Sequence, residues 1–115
     1  MSMTGDLHML YELRSYYVVP GRMPDILARF RNYTTKIFER LGIINVGYWI
    51  ETVGRNDRLI YLISFEDLAD REAKWAKFIH DPEWLKVKSK TEANGQIVRF
   101  VENRFLSPTD FSAMQ

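Results

Sequence analysis

Ile43-Ile44-Asn45-Val46-Gly47-Tyr48-Trp49-Ile50-Glu51-Thr52-Val53, then Gly54-Arg55-Asn56-Asp57, then Arg58-Leu59-Ile60-Tyr61-Leu62-Ile63-Ser64-Phe65 is the stretch that decides the fold. β-branched and aromatic residues fill both arms, and the break between them holds Gly, Asn and Asp. The reading is two strands joined by a tight turn. Side chains alternate between the two sides of a strand. Leu59, Tyr61, Ile63 and Phe65 fall on one side, with Ile60, Leu62 and Ser64 on the other. Neither side is fully polar, whereas a sheet covered on one face alone alternates cleanly. Both faces of this hairpin are therefore expected to be buried.

The flanking segments complete a pattern. Leu10 to Val18 is a first strand, with Tyr11, Leu13, Ser15 and Tyr17 as its expected core face. Pro20-Gly21 ends it. Met23, Ile26, Leu27, Phe30, Thr34, Ile37, Phe38 and Leu41 then recur at spacings of three and four, one apolar stripe along a helix. Arg29 is assigned to the polar remainder, and Gly42 is a left-handed cap. After the hairpin, Asp67 caps a second helix carrying Leu68, Trp75, Phe78 and Ile79. Asp81-Pro82-Glu83-Trp84 is a fresh helix start. Gln96 to Leu106 is the last strand. The order is strand, helix, strand, strand, helix pair, strand: the ferredoxin-like βαββαβ unit of the α+β class. It builds a four-stranded antiparallel sheet with helices on one face, the first and third strands central. Residues 1–8 read as a flexible N-terminal extension, 9–106 as the domain and 107–115 as a C-terminal tail.

The open sheet face carries Trp49, Ile60 and Leu62. A face of roughly 400 Å² follows from strand spacing and rise, the upper end of what a soluble monomer leaves exposed. At ~25 cal/mol per Å², burying it contributes on the order of 10 kcal/mol per subunit. Association costs ~4–15 kcal/mol. A symmetric homodimer with sheet facing sheet is expected.

Composition excludes several classes. The chain has 115 residues, 16 basic and 15 acidic, for a net charge of +1, so the basic excess of a nucleic-acid footprint is missing. There is no cysteine, which removes disulfides, thiolate nucleophiles and zinc–cysteine sites. No apolar run reaches the roughly 20 residues of a membrane span, and the first residues lack the pattern of a secretory signal. The cytoplasm is the expected location. His8 and His80, the two histidines, have no strained serine turn and no partner ligands at metal spacing. Glycines at 42, 47, 54 and 95 are isolated, so no phosphate loop exists. No cofactor or metal is expected.

Tyr11-Glu12-Leu13-Arg14-Ser15-Tyr16, Pro20-Gly21, Phe38-Glu39-Arg40-Leu41-Gly42-Ile43, Val46-Gly47-Tyr48-Trp49, Phe65-Glu66-Asp67-Leu68-Ala69-Asp70-Arg71, Asp81-Pro82-Glu83-Trp84 and Pro108-Thr109-Asp110-Phe111-Ser112 occur in an order and spacing that resemble the NIPSNAP family of the dimeric α/β-barrel superfamily. The resemblance covers about residues 9 to 112. It implies a ferredoxin-like subunit and a dimer whose sheets enclose a central barrel cavity. It implies no agreed catalytic set. Without a transit segment in the sequence, mitochondrial roles are not carried over.

By alternation, Trp49 on the open face brings Asn45 and Glu51 with it, and Tyr16 there brings Glu12 and Arg14. Glu12, Arg14, Tyr16, Asn45, Trp49 and Glu51 are thus the candidate barrel-facing, ligand-binding residues, an aromatic wall with a few polar groups. Three readings stand side by side. A small apolar or aromatic molecule binds in the barrel. Or the protein is an enzyme like the metal- and flavin-independent monooxygenases of the superfamily, Arg14 holding an oxyanion and Glu12 orienting it. Or Glu12 and Arg14 form a purely structural pair, on a solvated sheet face or across the dimer interface.

Overall fold

The computed structural model describes residues 9–115; the expected N-terminal extension lies outside them. Strands β1 (Leu10–Val18), β2 (Ile44–Trp49), β3 (Arg58–Phe65) and β4 (Val98–Leu106) form one antiparallel sheet in the order β2-β3-β1-β4. Both central strands are where the sequence places them, but β2 stops at Trp49, short of the expected Val53, so residues 50–57 join the two arms in place of a tight turn at 54–57. The first helix runs in three pieces: α1 (Met23–Arg29), a π-helical turn (Phe30–Thr34) and α2 (Thr35–Arg40). Helices α3 (Leu68–Ile79) and α4 (Pro82–Thr91) follow the hairpin.

Local chemistry fixes the helix ends. Gly42 sits at φ 81°, with Gly42 N–H bonded to the Glu39 carbonyl and Ile43 N–H to that of Phe38. This is the paired closure that needs a left-handed residue past the helix. Asp67 accepts from Asp70 N–H at 2.8 Å, and Asp70 accepts from Glu66 N–H at 2.9 Å, so two orphan donors are satisfied reciprocally. Asp81 accepts from Trp84 N–H at 3.0 Å, with Pro82 at the first helical position. In the π turn the Thr35 hydroxyl donates to the Phe30 carbonyl at 2.9 Å, engaging one carbonyl loosened by the wide turn.

The core lies between the helices and one sheet face. Leu59, Tyr61, Ile63 and Phe65 of β3 are buried there with Ile26, Phe30, Ile37, Phe38 and Phe78. The face assignment of β1 is the reverse of the expectation. Directly opposed residues on antiparallel neighbours share a face, and Glu12 opposes Ile63 while Arg14 opposes Tyr61. Glu12, Arg14, Tyr16 and Val18 therefore face the helices; Tyr11, Leu13, Ser15 and Tyr17 face outward. Charge is tolerated inside because it is fully paired, as described below.

The outward face has two parts. At one end a polar row crosses the sheet: Glu51 accepts from Arg58 at 2.8 Å, Arg58 donates to the Tyr17 hydroxyl at 3.2 Å, and that hydroxyl donates to Glu102 at 2.7 Å. The part on β2 and β3 is largely apolar, with Ile60 and Leu62 half-buried and Trp49 at 52% exposure, while Ser15 and the exposed Arg104 lie on the same face of β1 and β4. The Trp49 ring lies against Gly47, where a Cβ would come within 2.5 Å of it. The tail returns to one corner, the Tyr11 hydroxyl donating to the Gln115 carbonyl at 2.9 Å. Phe111 in that tail remains 86% exposed.

Candidate functional site

The six candidate residues divide between the two faces. Trp49 and Glu51 lie on the outward side, Glu51 in the polar row. Asn45 does not accompany them. A β-bulge between Asn45 and Gly47 inserts one residue and breaks the alternation. Asn45 instead donates to the Thr35 carbonyl at 3.0 Å, beside the π turn, and accepts from the Tyr48 hydroxyl at 2.5 Å. Its role is to tie β2 to the irregular helix.

Glu12, Arg14 and Tyr16 lie on the helix side. Glu12 is fully buried and accepts four hydrogen bonds: from Arg14 Nη1 at 2.7 Å, from Arg71 Nε and Nη2 at 3.0 Å each, and from Asn103 Nδ2 at 3.0 Å. Burial alone raises a carboxyl pKa, but the hydrogen bonds from Arg71 and Asn103 and the charge of Arg14 outweigh it, so Glu12 is held below its ordinary value. It is ionised at neutral pH and wholly enclosed by its donors, hence a positioning group rather than a base. Burial opposes the Arg14 charge, yet Tyr61, Tyr16 and Glu12 together push its pKa above the ordinary value. Arg14 also gives Nε to the Tyr61 hydroxyl at 2.8 Å, which in turn donates to the Tyr16 hydroxyl at 3.0 Å. Burial, with Tyr16 beside it, raises the Tyr61 phenol well above its usual range, so Arg14 and Tyr61 both carry their protons at neutral pH.

Arg14 and Tyr16 line a cleft of 640 Å³ between the sheet, α1 and the α3–α4 pair. Three aromatic rings form one wall, Trp75 and Phe78 from α3 and Trp84 from α4, with Val98 and Val101 of β4 and the polar Lys88, Glu92 and Gln96 also in the lining. The Arg14 guanidinium lies 4.3 Å from the Trp75 ring, within cation–π range. Arg29, from α1, also lines the cleft, 5.1 Å from the Trp84 ring and bonded to Glu92 at 2.9 Å. Arg29 is absent from the residues that the sequence singles out. The signal was available: at 100° per residue it falls about 60° from Ile26, inside the arc a buried stripe occupies. Trp75, Phe78 and Trp84 were legible as the buried side of their helices, but not as a wall with open space before it. Among the described residues no group of His, Asp and Glu is placed to hold a metal, and no helix is long and apolar enough to cross a membrane.

These features define a single-sheet α+β domain with a polar-floored aromatic cleft under its helices. The NIPSNAP family profile matches residues 11–113, and the chain belongs to the NIPSNAP family. A NIPSNAP family protein of unknown function from Agrobacterium tumefaciens has a crystal structure 26% identical in sequence, covering 95% of this chain and 96% of its own, with a TM-score of 0.81. The mouse protein NipSnap homolog 3B is 29% identical over 75 residues, 64% of this chain but 30% of the mouse protein's length. A putative antibiotic biosynthesis monooxygenase from Bacteroides thetaiotaomicron shares the fold, at 20% identity over 94% of each chain and a TM-score of 0.63.

Proposed function

We propose that this protein is a homodimeric small-molecule-binding domain, whose ligand is a small aromatic or largely apolar molecule seated in the cleft over Arg14 and Tyr16. The observation that carries the reading is the cleft itself. At 640 Å³ it falls in the range of small-molecule sites, about 300–1,000 Å³. It pairs an aromatic row with charged groups at both ends, Arg14 held by the Glu12 cluster and Arg29 held by Glu92. The site thus lies under the helices of one subunit rather than between the sheets. What supports the dimer is the outward sheet face, where Trp49, Ile60 and Leu62 form an apolar patch that no helix among the described residues covers, the C-terminal tail reaching only its Leu62 corner. Such a face is a docking surface for a second copy.

Titrating the full chain with naphthamide, a neutral aromatic, tests the cleft. The expected result is saturable binding at micromolar to millimolar concentration that weakens in Trp75→Ala and Trp84→Ala but not in Trp49→Ala. Binding lost only in Trp49→Ala places the site between the sheets and refutes the cleft.

A further inference from the structure

Two arginines line the cleft, and each keeps a donor unspent. Arg14 commits Nε to Tyr61 and Nη1 to Glu12; its Nη2 has no hydrogen-bond partner among the described residues. Arg29 commits Nη1 to Glu92 at 2.9 Å and to the Thr91 hydroxyl at 3.3 Å. Its Nε lacks an acceptor but is enclosed by protein, out of a ligand's reach, whereas its Nη2 has no hydrogen-bond partner among the described residues.

The rings between the arginines form a continuous row. Trp75 and Phe78 have centroids 5.0 Å apart, and Phe78 stacks on Trp84 at 4.7 Å. Arg14 lies against the Trp75 end and Arg29 against the Trp84 end. The charges lining the cleft are unbalanced. Arg14, Arg29 and Lys88 face it against Glu92, while the Glu12 carboxylate behind Arg14 is used up by its own donors.

We infer that the ligand is an aromatic acid, its ring on the Trp75–Phe78–Trp84 wall and its carboxylate on an unspent arginine donor. A guanidinium matches a planar carboxylate in geometry as well as charge. Arg14 and Arg29 are themselves buried at the cleft floor, where charge is screened less than at an exposed site. The inference rests on the cleft being the ligand site, and the test separates the two.

Isothermal titration of the full chain compares naphthoate with its neutral isostere naphthamide. The acid binds at least about tenfold more tightly, which is ~1.4 kcal/mol. In Arg29→Gln or in Arg14→Lys the ratio of acid to amide affinity falls to near parity, whatever the change in naphthamide affinity itself, and the variant that removes the preference marks the seat of the carboxylate. Arg29 lies outside the Glu12 cluster, so Arg29→Gln remains informative should Arg14→Lys fail to fold. Equal affinities for acid and amide, or a preference retained in every variant that folds, overturn the carboxylate assignment and leave the cleft reading in place. Failure of both compounds to bind at millimolar concentration overturns both.

Discussion

Replacing Glu12 by Ala removes the acceptor on which Arg14, Arg71 and Asn103 converge. Four hydrogen bonds are lost at a position with no solvent exposure, and two guanidinium groups lose their shared counter-charge. Arg71 keeps a contact to Glu72 at 2.8 Å, and Arg14 keeps Tyr61, so neither is stripped of every partner. Removing one partner of a buried ion cluster costs ~3–5 kcal/mol, against a total of ~5–15 kcal/mol for a domain. Urea unfolding followed by far-UV circular dichroism should show that loss, and the melting temperature should fall by roughly 10–20 °C. The effect depends on pH with a definite sign. The folded Glu12 carboxyl titrates below its ordinary value of 4.5, so its contribution is complete above that value and is lost as the pH falls through the folded pKa. The gap between wild type and Glu12→Ala should therefore be widest near neutrality and close in acid. A loss below ~1 kcal/mol at pH 7, the size of an exposed pair, would refute the buried network.

Three further outcomes follow from the same geometry. Trp49→Glu places a charge on the uncovered sheet face; sedimentation at micromolar concentration should show a dimer in the wild type and a monomer in the variant, with circular dichroism unchanged, and a wild-type monomer would end the homodimer reading. Gly47→Ala pushes the Trp49 ring off its seat, since the new Cβ would lie 2.5 Å from it; Trp49 emission should shift and dimer affinity should change, whereas an unaltered spectrum would mean the ring is free to move away. Asp81→Ala deletes the cap that accepts from Trp84 N–H and the 2.7 Å contact from Arg40, and should cost about 1 kcal/mol in urea unfolding, a neutral result showing that solvent replaces the cap.

The fold was legible because its signals agree with one another. The Ile43–Phe65 hairpin, the Gly42 stop, the Asp67 and Asp81 caps and the Pro82 start each act over a few residues. The reversed face of β1 was not legible. Tyr11, Leu13 and Tyr17 are more apolar than Glu12, Arg14 and Tyr16, so alternation alone turns them inward. What overrides it is a set of partners far away in sequence, Tyr61, Arg71 and Asn103, which make buried charge tolerable. Asn45 parted from Trp49 for a different reason: one extra residue at a bulge flips the parity, and nothing in Asn45-Val46-Gly47 beyond the glycine announces it. Arg29 was hidden by its type. A charged residue at the margin of an apolar stripe is normally solvated, and only packing against Trp84 and Glu92 makes it part of a cleft.

The most direct measurement is a crystal structure of the full chain grown with naphthoate. The ring should lie against Trp75, Phe78 and Trp84, with its carboxylate within hydrogen-bonding distance of Arg14 or Arg29. Density for the ligand between two sheets, against Trp49 and Ile60 and away from both arginines, would contradict it.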